Sequence, residues 1–145
     1  MDNEQIRTLV LQVPFITSLS EDLREKLADI ILNIGVVRRV AQGQIMTRES
    51  GQGKNRGFIL LDGVIGVQKA EAPYSKCRPP ELLGELMQFN PKGMRTATLT
   101  AREECVVLRF QWNEFWNELM TNLSETEVAK IRQALEDRAW EHFTG

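Results

Sequence analysis

From Leu82 to Thr98 the chain reads Leu82-Leu83-Gly84-Glu85-Leu86-Met87-Gln88-Phe89-Asn90-Pro91-Lys92-Gly93-Met94-Arg95-Thr96-Ala97-Thr98, and this stretch holds the residue types that could receive an anion. A Gly-Glu step followed by a short apolar turn lets the backbone come close to a ligand. The N–H groups of a single helical turn are then free to meet negative charge. Arg95 stands ten residues after Glu85, where a strand is predicted to begin, and offers a planar fork to a phosphate whose other oxygens face those N–H groups. Glu85 cannot hold phosphate, but it can accept hydrogen bonds from a sugar hydroxyl or pair with Arg95 and pin the loop. This is the chemistry of recognition rather than bond-making. An internal Arg95–Glu85 ion pair that binds nothing is the alternative open at this point.

The rest of the composition removes most catalytic options. The 145 residues contain one His, His142, and two Cys, Cys77 and Cys105, too few for His-based metal sites, a His-dependent triad or a disulfide framework. No metal site is expected, nor a metal-dependent enzyme of the cupin kind. With 18 Lys+Arg against 20 Asp+Glu the formal charge is -2, which does not favour electrostatic binding to nucleic acid or anionic membrane. No apolar run approaches a membrane span, and the opening Met-Asp-Asn-Glu-Gln carries no export signal, so a cytoplasmic, reduced protein is expected.

The elements that must position Gly84 to Thr98 follow from periodicity. The pattern is helical up to Gly35, strand-like from there to Phe110, and helical again from Gln111, which gives an α+β class within a single domain, 1–145. After Pro14, Ser20 is a cap for a helix with Glu21 and Asp22 in its first turn and Leu23, Leu27, Ile30 and Ile31 on one face. Short apolar runs at Val36-Val37, Ile45-Met46, Phe58 to Leu61 and Val64 to Val67 read as strands separated by glycines. Asp62-Gly63 between the last two predicts a tight hairpin. Ala97, Leu99 and Ala101 alternate with Thr96, Thr98 and Thr100, and Cys105 to Phe110 supplies a further strand. Trp112, Phe115, Trp116 and Leu119 form the core stripe of a short helix. Ser124-Glu125-Thr126-Glu127 is a capping box opening a last helix to about Phe143, with Val128, Ile131 and Leu135 in heptad-like register. That seam suits either a homodimer or packing on the chain's own strands.

The chain resembles the cyclic nucleotide-binding domain of the catabolite activator and protein kinase regulatory subunit type. The resemblance rests on Gly84-Glu85-Leu86 and Arg95-Thr96-Ala97-Thr98. Pro14-Phe15-Ile16, Leu19-Ser20, Gly43 before Ile45, and Phe58-Ile59-Leu60 ending at Gly63 support it. It implies an eight-stranded, jelly-roll-like β-roll, a double-stranded β-helix, over 35–110, with N-terminal helices in 1–34, C-terminal helices in 111–143 and a phosphate-binding cassette in 83–98. It also implies that Arg95 pairs with the cyclic phosphate of cAMP or cGMP, that Glu85 binds the ribose 2′-hydroxyl, and that Gly84 and Leu86 shape the cradle. Thr96 would take the position from which a hydroxyl touches phosphate or the guanine amino group. Trp140 or Phe143 would cap the base, with core packing as the alternative for both. A non-enzymatic sensor that signals to an effector protein by moving its last helix is the function implied.

Three features depart from the family pattern. Met87 and Gln88 follow Gly-Glu-Leu where a small and then an apolar residue are usual, and Arg78-Pro79-Pro80-Glu81 replaces a Gly-Asp approach. Two prolines remove ladder donors, so an irregular strand is expected there. These residues favour the alternative of a ligand-free domain acting as an interaction or dimerisation scaffold. Only Thr144 and Gly145 follow Phe143, and the last helix is acidic, so no direct DNA contact is expected.

Overall fold

Asp2 starts the first helix by a reciprocal cap. Its side chain accepts the Gln5 N–H at 2.8 Å, and its own N–H donates to Gln5 Oε1 at 2.9 Å. This computed structural model describes residues 1–47, 55–68, 75–84 and 98–144, the side chains of 47 and 139–144 excepted. Helix α1 (Asn3–Leu11) leads to a single turn, α2 (Pro14–Thr17), with proline at its first position where no donor is lost. In α3 (Glu21–Ile34), Ser20 Oγ accepts the Leu23 N–H at 3.4 Å, as the sequence predicts, and Leu23, Leu27, Ile30 and Ile31 are buried.

Eight strands follow among the described residues: β1 (Val36–Val40), β2 (Ile45–Thr47), β3 (Arg56–Asp62), β4 (Ile65–Gln68), β5 (Ser75–Cys77), β6 (Glu81–Leu83), β7 (Thr98–Ala101) and β8 (Cys105–Gln111). They form two antiparallel four-stranded sheets, ordered β1-β8-β3-β6 and β2-β7-β4-β5. The predicted hairpin at Asp62-Gly63 is not one. β3 pairs with β6 and β8, whereas β4 pairs with β5 and β7, so Gly63 carries the chain from one sheet to the other. The local signal was correct, since Gly63 has φ +97, but pairing with distant strands decides the outcome. The prolines likewise fall in the connection between β5 and β6, joined by a cis bond, and β6 pairs regularly along its three residues.

Alternation along the first sheet divides the core in two. Ile59, Leu61, Leu82, Leu108 and Phe110 face the helices, while Phe58, Leu60, Leu83, Cys105 and Val107 face Ile65, Leu99 and Ala101 of the second sheet. Helix α4 (Trp112–Asn122) buries Trp112, Phe115 and Leu119 in the helical core, with Trp112 and Phe115 edge to face at 5.3 Å. Helix α5 (Glu125–Thr144) opens with the predicted capping box: Glu127 N–H donates to Ser124 Oγ at 3.1 Å, and Ser124 N–H to Glu127 Oε1 at 3.0 Å. Ile131 and Leu135 are fully buried in the same core, each stabilising the fold by about 1.5–3 kcal/mol. Of the two roles open to the heptad-like seam, these residues take the intramolecular one. No described helix is long and apolar enough to cross a membrane.

Candidate functional site

Strand β6 is the approach to the predicted cassette, and all three of its residues are buried. Register places Leu82 beside Ile59, facing the helices, and Leu83 beside Phe58, facing the interior of the roll. Glu81, opposite Leu60, shares the face of Leu83 and is 8% exposed. A carboxylate so placed is costly unless its oxygens are satisfied. Here Oε1 accepts the Leu82 N–H at 3.0 Å, and Oε2 accepts from Arg138 Nη2 of helix α5. Three residues after Glu81, Gly84 turns out of the strand with φ +87, a conformation that a side chain disfavours. The chain leaves the first sheet here and re-enters the second at Thr98, where β7 lies between β2 and β4.

The predicted ligand residues thus divide. Gly84 is placed just after β6, in the left-handed conformation. Glu85, Leu86, Arg95 and Thr96 lie outside the described residues, as do Met87 and Gln88. Trp140 and Phe143 fall within α5, with side chains outside what is described.

Helix α5 is tied to the rest of the molecule at several depths. At its start Glu127 meets Lys26 of α3 at 2.9 Å, and the Lys26 ammonium also reaches Asp22 at 3.2 Å. The Ser124 backbone N–H, then the Lys26 ammonium, lower the Glu127 carboxyl to about 2. One turn further on, the Arg132 guanidinium stacks 5.0 Å from the Trp116 ring centroid of α4. Arg138 then grips Glu81. These contacts tie the last helix to α3 through Glu127, to α4 through Arg132 and to the strand that precedes Gly84 through Arg138.

Sequence reading missed the Glu81–Arg138 pair. Glu81 opens an apolar Glu-Leu-Leu run, the one local sign that a carboxylate is drawn into a core, but nothing in the sequence names a partner 57 positions away.

The family model of the cyclic nucleotide-binding domain matches residues 37–122, more than half of the chain and all of the strands from β2 to β8. The chain belongs to the cyclic nucleotide-binding domain family. The two antiparallel sheets with helices before and after them are the β-roll of that family, as expected from the resemblance.

Solved structures agree in fold. The sensor domain of the transcriptional regulator DNR from Pseudomonas aeruginosa superposes with a TM-score of 0.68 at 14% identity, over 94% of this chain and 91% of that one. A putative cyclic nucleotide binding protein from Ruegeria pomeroyi gives 0.72 at 15% identity, over 99% of this chain and 62% of that one. The PKAR CBD2 domain bound to Sp-2Cl-cAMPS gives 0.65 at 21% identity, over 92% and 89%. No curated protein matches this cyclic nucleotide-binding domain in sequence.

Proposed function

We propose that the chain is a regulatory, non-enzymatic module that senses cAMP or cGMP in the 83–98 cassette and passes the event to an effector protein through helix α5. The Glu81–Arg138 contact carries this reading, because it joins the helix to the strand that delivers Gly84. In the binding event Arg95 pairs with the cyclic phosphate, Glu85 accepts from the ribose 2′-hydroxyl, and Gly84 and Leu86 present backbone N–H groups. Thr96 adds a hydroxyl at the phosphate or the guanine amino group. Trp140 or Phe143 covers the base from α5. Closing the cassette shifts Gly84 and with it Glu81, so the Arg138 end of α5 repacks while the Glu127 end stays anchored to α3. The module acts in the cytoplasm, through a protein partner.

Titration with cAMP and cGMP tests the reading. A nucleotide at about a hundred times its dissociation constant stabilises the native state by roughly 2.7 kcal/mol, visible as a raised melting temperature. Arg95→Ala should abolish the rise. Melting unmoved by either nucleotide at saturation would leave the ligand-free scaffold, the reading that Met87 and Gln88 favour.

A further inference from the structure

We draw no further inference here: the strongest candidate, the outer edge of the first sheet along β1, where Val36 and Val37 are exposed beside Arg38 and Arg39, carries nothing because nothing in the structure shows what covers it.

Discussion

Arg138 of the last helix donates to the buried carboxylate of Glu81, three residues before the left-handed Gly84. Removing one partner takes from the other a charge-assisted hydrogen bond in a largely desolvated setting. Glu81→Gln or Arg138→Met should each lower stability by about 2–4 kcal/mol, less than a wholly buried pair because the Arg138 side chain is 23% exposed. The double replacement Glu81→Leu with Arg138→Met should recover much of the loss, as measured in urea unfolding. The same substitution of Arg138 should weaken cyclic nucleotide binding about tenfold, because β6 no longer holds Gly84 in place. Unchanged affinity alongside lost stability would make the pair purely structural.

The Glu127 carboxyl, lowered to about 2 by the Ser124 N–H and the Lys26 ammonium, links stability to pH. Its folded value lies below its unfolded value of 4.5, so its contribution is complete above that range and lost as pH falls through it toward about 2. Glu127→Gln keeps a capping acceptor and loses the charge. Its urea midpoint should fall below that of wild type at pH 7, and the two should converge by about pH 2. A gap of the same size at both pH values would assign the effect to the cap alone.

Gly63→Ala should cost about 2–3 kcal/mol. Its φ of +97 disfavours a side chain, and a Cβ there would sit 2.6 Å from Cys105 Sγ and 2.9 Å from the Glu104 carbonyl oxygen. Burial pushes the Cys105 thiol up, and Sγ donates toward the Glu103 and Val64 carbonyl oxygens. Wild-type Cys105 should therefore resist alkylation at pH 8, and Gly63→Ala should speed it, as read by mass spectrometry. Equal rates would mean that the backbone absorbs the new methyl group without moving Cys105.

Legibility in the sequence followed range. Ser20, the Ser124 to Glu127 box and the Trp112 to Leu119 stripe act within a few residues, and each is found where its spacing places it. Leu99 and Ala101 are buried and Thr98 and Thr100 partly so, as alternation predicts. The Asp2 to Gln5 box is equally local, and it opens α1 among the helices expected in 1–34. Asp62-Gly63 shows the opposite case, a turn signal whose chemistry was right and whose topology was not.

By itself the sequence determined the α+β order, the helix caps and the family, because each depends on neighbours in the chain or on a motif of fixed spacing. Only the tertiary structure decided that β3 and β4 part into different sheets, that Ile131 and Leu135 are used within the chain, and that Glu81 meets Arg138. These are pairings between strands and helices far apart in sequence. Burial and register select them collectively, so no single residue or local spacing announces them.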